Sequence, residues 1–169
     1  MAGHRAGGSD DVDRIVAAWR RERPDLDAAP LHVLSRITRL ARRLDLGRGA
    51  AFAQHGLESW EFDVLSALRR AGDPYQLSPG TLVAETLVTS GTMTNRVDRL
   101  AQRGLVGRHP DPSDRRGVLV RLTAEGQRAV DAALAGLLEH ERELLAPLTA
   151  EERVTLAGLL RRLGSPLEG

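Results

Sequence analysis

The chain has 169 residues, no cysteine and a formal net charge of +1. The length fits one compact unit better than two unrelated domains, and the absence of cysteine excludes disulfides, thiolate nucleophiles and cysteine-bound zinc. The sequence has no run close to the roughly 20 continuous apolar residues of a membrane span, and residues 1–14 lack the apolar core of a signal peptide, so we expect a cytoplasmic protein with no membrane partner.

The first part of the chain predicts a leader followed by three helices. Residues 1–9 are Gly-rich and polar, which is typical of a disordered leader. From Asp11 onward, apolar residues recur at helical spacing up to Trp19, with Asp10 or Asp11 as the cap. Pro30 opens a longer helix that should end near residues 55–56. Ser59 is expected to cap a third helix, which residues 72–74 close.

From residue 75 the predicted elements become short. We expect a brief strand at 75–77, a helix after the Ser78 cap, a turn at 88–90, and a helix over 90–103 that Ser90 caps and Gly104 ends. Two strand-like runs, 105–108 and 118–122, flank a charged, turn-forming segment that predicts a loop over 109–117. The order helix, turn, helix, strand, loop, strand predicts a winged helix-turn-helix.

Two further helices are predicted at the C-terminal end. A long helix begins at residues 123–125, and residues 149–152 form a capping box for the last one. The fold class is therefore mainly α with a small β-wing: a winged helix-turn-helix plus a helical dimerisation region that includes an extra N-terminal helix. Apolar stripes before residue 57 and after residue 123 exceed what so small a domain covers alone, which predicts a homodimer.

This organisation divides the chain into four predicted parts. A disordered leader covers 1–9, and N-terminal helices for ligand binding and dimerisation cover 10–56. The DNA-binding winged helix-turn-helix covers 57–122, and C-terminal dimerisation helices cover 123–169.

Basic charge is concentrated where the predicted DNA-binding elements lie. All 24 basic residues are arginine, and residues 91–121 hold seven of them against three acidic residues. Such a patch is the usual footprint of phosphate binding, although a solvated arginine-rich surface is the alternative. Helix 90–103 carries hydroxyl, amide and guanidinium groups that suit base edges and phosphates, on Ser90, Thr92, Asn95, Arg96, Arg99 and Arg103.

Two motifs resemble the MarR family of transcriptional regulators. Residues 114–123 match its wing signature, Asp-x-Arg followed by five residues and Leu-Thr, and residues 91–106 are similar to its recognition helix and glycine terminus. The resemblance covers about residues 30–163. It implies a two-fold dimer that binds a pseudo-palindromic double-stranded DNA operator and acts as a repressor. In the wing it implies a minor-groove contact for Arg116, a bracing role for Asp114, and DNA binding by Arg115.

The N-terminal helix with Trp19 also resembles the urate-responsive, PecS/HucR-like branch of that family. The resemblance assigns ligand binding to Trp19, Asp63, Arg96 and Arg108, and the last three are spaced by 33 and 12 residues. Urate is a planar anion, so two guanidinium groups could pair its charge, a carboxylate could accept from its N–H groups, and an indole could stack on it. We therefore expect urate or a related purine as a small-molecule effector, with no cofactor and no metal.

Several other interpretations are open from the sequence. The protein could be a MarR-type repressor that responds to a phenolic or drug-like lipophilic ligand. Trp19 could be a packing residue, and Asp63, Arg96 and Arg108 could be solvated or bind DNA alone. An enzyme is disfavoured because no phosphate loop, nucleophile elbow or metal-spaced histidine cluster is found. A winged helix that contacts only protein, and a zinc sensor built from histidines and carboxylates, are the remaining alternatives.

Overall fold

In the computed structural model, residues 8–165 are described, with the exception of the Arg115 side chain. The helices are α1 Asp11–Glu22, α2 Leu31–Gln54, α3 Ser59–Arg70, α4 Pro79–Thr86, α5 Ser90–Gln102, α6 Ala124–Leu145 and α7 Ala150–Gly164. The strands are β1 Gln76–Leu77, β2 Val106–Asp111 and β3 Asp114–Leu122. The predicted fold class, mainly α with a small β-wing, is confirmed. Most of the predicted leader, residues 1–7, lies outside the described residues.

The chain divides into two compact units, Met1–Gly47 and Arg48–Gly169. In the first unit, α1 begins with a capping box: Asp10 Oδ1 accepts from the Asp13 backbone N–H, and Asp13 Oδ2 accepts from that of Asp10, each at 3.0 Å. Val12 and Val16 are buried one turn apart. Arg36 of α2 donates to both Asp10 and Asp13, and its hydrogen bond holds the pKa of Asp10 below its ordinary value.

The second unit has one hydrophobic core, to which α3, α4, α5, α6 and the sheet contribute. The sheet is antiparallel in the order β1-β3-β2, and Arg108 of β2 pairs with Val120 of β3. The fully buried side chains of this core include Leu65, Leu68, Leu82, Met93, Leu100 and Val120. Within the described residues, no helix combines the length and apolar character needed to cross a bilayer.

Two predicted helix caps were wrong by one residue. Glu58, not Ser59, is the N-cap of α3: its backbone is extended, and its N–H donates to Glu61 Oε2 at 2.9 Å. Thr89, not Ser90, caps α5, and its hydroxyl accepts from the Thr92 N–H at 3.3 Å. Both serines already have helical backbone. A glutamate is an uncommon cap, and two adjacent hydroxyl residues do not identify which one ends the extended segment.

The predicted loop over 109–117 was also wrong, because the two strands of the wing extend through most of it. Pro110 pairs with Val118. Because β2 lies at the edge of the sheet, a residue without a backbone N–H can face away from the neighbouring strand. The proline therefore does not interrupt the pairing. The hairpin turns tightly at residues 112–113. There Asp111 Oδ1 accepts two hydrogen bonds from Ser113, one from its backbone N–H at 2.8 Å and one from its hydroxyl at 2.7 Å.

Candidate DNA interface and effector residues

Helix α5 presents a polar face beside the wing. Its apolar side, Met93, Val97 and Leu100, is buried in the core, which leaves the opposite side of the helix accessible. Four of the predicted DNA-binding side chains, those of Ser90, Thr92, Asn95 and Arg99, are exposed, and Arg96 is half-buried. An open groove of about 520 Å³ is lined by Glu58, Trp60, Gly91, Thr92, Asn95, Arg96 and Arg99.

Trp60 of α3 contacts Glu58, Arg96 and Arg99, which together form a charged cluster that the sequence analysis does not predict. The guanidinium carbon of Arg99 lies 4.7 Å from the centre of its ring, and that of Arg96 lies 5.5 Å from it. Trp60 Nε1 donates to Glu58 Oε2 at 2.7 Å, and Arg99 Nη2 donates to Glu58 Oε1 at 2.9 Å. The indole hydrogen bond, followed by the charge of Arg99, lowers the pKa of Glu58.

Arg103, at the end of the same helix, has a structural partner. It donates to the carboxylate of Glu61, which is only 1% exposed, and to the backbone carbonyl of Gly56 at 2.8 Å. A buried carboxylate requires such a partner, so Arg103 ties α5 to α3. Helical spacing groups Arg103 with the polar residues of α5 that suit DNA. This contact gives it another role.

The wing exposes the side chains of Asp114 and Arg116. Asp114 Oδ1 accepts from the backbone N–H of Arg116 at 2.9 Å, so the carboxylate constrains the backbone from which that arginine extends. The side chain of Arg115 lies outside the described residues. The DNA roles of all three residues stay predictions.

The four predicted effector residues are distributed over both units. In the first unit, Trp19 is 52% exposed. It lines a pocket of about 320 Å³ with Arg23, Leu26, Asp27, Ala28, Pro30 and Leu31.

The other three effector residues lie in the second unit, where the two arginines have partners. Asp63 is exposed. Arg108 Nη2 lies 2.7 Å from Asp98 Oδ1 of α5, and Arg96 lies over Trp60. The residues that line the Arg96 groove include neither Asp63 nor Arg108. The four-residue effector site therefore stays a prediction.

The zinc-sensor alternative receives no support from the described part of the chain. Within residues 8–165, no group of three or more His, Asp or Glu side chains is arranged to hold a metal ion. Such a group is the minimum that structural and catalytic zinc sites use.

Comparison with known proteins identifies the family. The MarR family pattern matches residues 55–117. The chain is 39% identical to the HTH-type transcriptional regulator PecS of Dickeya dadantii, over 90% of this chain and 92% of that protein. It is 34% identical to the HTH-type transcriptional repressor NicR of Pseudomonas putida, over 82% of this chain and 88% of that protein.

A solved structure of a mutant Escherichia coli MarR complexed with operator DNA is also similar. It has a TM-score of 0.66 and 28% identity, and the match covers 86% of this chain and 96% of that one. PecS and NicR are named as regulators of transcription, not as enzymes. The chain therefore belongs to the MarR family of DNA-binding transcriptional regulators.

Proposed function

We propose that this regulator binds a pseudo-palindromic operator as a homodimer and is released from it by urate or a related purine. In each protomer, α5 would enter the major groove with Ser90, Thr92, Asn95, Arg96 and Arg99, and the wing would place Arg116, with Arg115 and Asp114, beside the adjoining minor groove. Two copies of α5 would lie about 34 Å apart, one turn of DNA.

Helix α7 supports the homodimer. None of its residues is buried in the chain's own core, and Val154 is 75% exposed. Leucines on the same helix are also exposed. A helix that leaves its apolar side chains in water is stabilised by packing on a second copy, and closed two-fold symmetry is the commonest way to achieve this.

The observation that carries the effector proposal is the position of Arg96. It stands on the helix proposed to read DNA, and it is also one of the four residues that resemble the urate-responsive branch. An effector that draws Arg96 away from DNA would lower operator affinity, and by reciprocity operator would lower effector affinity. A 10- to 100-fold release requires only about 1.4–2.7 kcal/mol of differential binding.

Arg108 gives a second route for the same coupling. Its ion pair with Asp98 connects β2 of the wing to α5 at 2.7 Å. An anion bound to Arg108 would compete with Asp98 for the guanidinium group. Breaking this pair would change how the wing and the recognition helix are held together, so the effector would act on both DNA-contacting elements.

One observation favours a second candidate, a phenolic or drug-like lipophilic effector. The pocket beside Trp19 has mainly apolar side chains, among them Leu26, Pro30 and Leu31. A neutral aromatic ligand would bury apolar surface there without a charged partner.

A gel-shift titration on the intergenic region upstream of the gene tests these proposals. Urate, xanthine and salicylate are titrated separately against the wild type and against Asp63→Asn and Arg108→Gln. Arg128→Gln, which removes an exposed arginine from α6, is the matched control. We expect wild type and control to release DNA with urate and the two site variants to resist release. Arg108→Gln also removes the pair with Asp98, so it should bind operator more weakly than wild type before urate is added. Release by salicylate alone supports the lipophile, and tight binding unaffected by urate contradicts the purine proposal.

A further inference from the structure

We infer that Trp60 is a positioning residue that holds Arg96 and Arg99 in place for DNA and thereby opposes the capture of Arg96 by the effector. The inference rests on the proposed function. It names a residue of α3 that the family resemblance did not assign to any role.

The geometry makes Trp60 a fixed platform. Trp60 is half-buried and packs against the main core, and this packing restrains its ring. Its N–H is held by Glu58 at 2.7 Å, which sets the orientation of the indole plane. The guanidinium groups of Arg96 and Arg99, one turn apart on α5, both lie over this ring.

Because Trp60 already holds both arginine side chains, they lose less conformational entropy when DNA binds. An exposed arginine normally samples many rotamers, and ordering it on DNA opposes binding. Each exposed arginine–indole contact corresponds to about two- to fivefold in an equilibrium constant. Removing both contacts in each protomer is therefore expected to weaken operator binding by roughly tenfold or more.

The contact between Arg96 and Trp60 also competes with effector binding. A guanidinium group can stack on a ring and pair with an anion at the same place, as Arg99 does with Trp60 and Glu58. Asp63 and Arg108, however, do not line the groove that holds Arg96 on Trp60, so Arg96 would have to leave the ring to join them around an effector. The state with Arg96 on the indole is the DNA-binding state, and each effector molecule must first separate the two side chains. A protein without the ring therefore keeps Arg96 available to the effector, and its effector affinity rises as its operator affinity falls.

The test uses the full-length dimer with Trp60→Leu, which fills the core position without a ring, and Trp60→Phe, which restores a ring face. We expect Trp60→Leu to bind operator about tenfold more weakly and urate about threefold more tightly than wild type. Trp60→Phe should recover most of the operator affinity. Urate affinity is measured by calorimetry without DNA, and thermal unfolding checks that each variant is folded.

A double-mutant cycle separates positioning from general damage. In an Arg96→Ala/Arg99→Ala background, assayed at low salt to keep binding measurable, Trp60→Leu should have no further effect on operator affinity. An equal loss in both backgrounds, wild-type affinity in Trp60→Leu, or parallel weakening of urate and DNA binding overturns the inference. If wild type binds no urate, the effector proposal fails, while the operator measurements still decide whether Trp60 positions the arginines.

Discussion

Replacing Gly126 with alanine should destabilise the second unit, although alanine is the better helix former. Gly126 lies in the first turn of α6, where a Cβ would stand 2.0 Å from the carbonyl oxygen of Leu105 and 3.1 Å from Leu122 Cδ2. An ordinary carbon–oxygen contact is about 3.3 Å or longer. The start of α6 must therefore move by about 1 Å relative to a backbone oxygen, which cannot rotate away as a side chain would.

The size of the effect follows from the bonds that hold α6 against Leu105. The Leu105 carbonyl accepts from the Thr123 N–H at 3.1 Å and from its hydroxyl at 3.2 Å. Losing two such bonds costs about 2 kcal/mol, and the steric strain adds about 1–3 kcal/mol. Helix propensity returns about 1 kcal/mol. The free energy of unfolding should fall by about 3 kcal/mol, which lowers Tm by roughly 10 °C for a chain of this size.

Gly80→Ala is the matched control. Gly80 lies in the first turn of α4, and a Cβ there meets only Ser78 Oγ at 3.7 Å, an ordinary contact, so the same substitution should stabilise by up to about 1 kcal/mol. Both variants are compared with wild type by urea and thermal unfolding at one protomer concentration, because dimer stability depends on it. If Gly126→Ala unfolds at or above the wild-type temperature, the close approach of α6 to Leu105 is refuted.

Three further predictions concern the second unit. Leu87 has φ +52° and is 92% exposed, so Leu87→Gly should relieve left-handed backbone strain without losing packing. The free energy of unfolding should rise by up to about 1 kcal/mol, which is measured as a higher urea midpoint. The folded-state pKa of Glu58 is lowered, so its stabilisation is present above the ordinary pKa of a glutamate and is lost as pH falls through the folded-state pKa. Wild type and Glu58→Gln should therefore differ in Tm at pH 7 and converge in acid, and a constant difference contradicts this. Arg103→Met should cost about 2 kcal/mol in urea unfolding because it removes the arginine partner of buried Glu61, and an unchanged midpoint would show that the pair is dispensable.

Most of the fold could be predicted because local chemistry specifies it. An aspartate cap at residue 10 or 11, the Ser78 cap followed by proline, and the left-handed Gly104 each have a residue type that suits only a few backbone conformations, and the structure places the first of these caps at Asp10. The extent of the wing strands could not be predicted. Strand pairing depends on a partner strand, and the charged turn-forming residues over 109–117 give no sign that β2 and β3 pair through them.

The candidate site was predictable only in part, for a related reason. The polar face of α5 follows from helical spacing along one segment. The cluster around Trp60 joins residues about 40 positions apart, and nothing in the sequence links Glu58 to Arg99. A tryptophan in the first turn of α3 was the available signal, because an indole beside a basic helix is a cation–π partner once the two helices pack.

The structure also changes how the basic patch should bind DNA. Three of the seven arginines in residues 91–121 form ion pairs with carboxylates of the same chain. The pairs are Arg99 with Glu58, Arg103 with Glu61, and Arg108 with Asp98. A pair with a buried carboxylate is not expected to exchange for phosphate, whereas the exposed Arg99–Glu58 pair can. Because the salt dependence of binding counts phosphates neutralised, with a slope of about −0.9 per contact, each protomer should contribute fewer than seven contacts. If Arg99 contacts phosphate as proposed, the operator would displace Glu58 from it while Trp60 keeps the arginine in place, and DNA affinity would then depend on a residue of α3 as well as on α5.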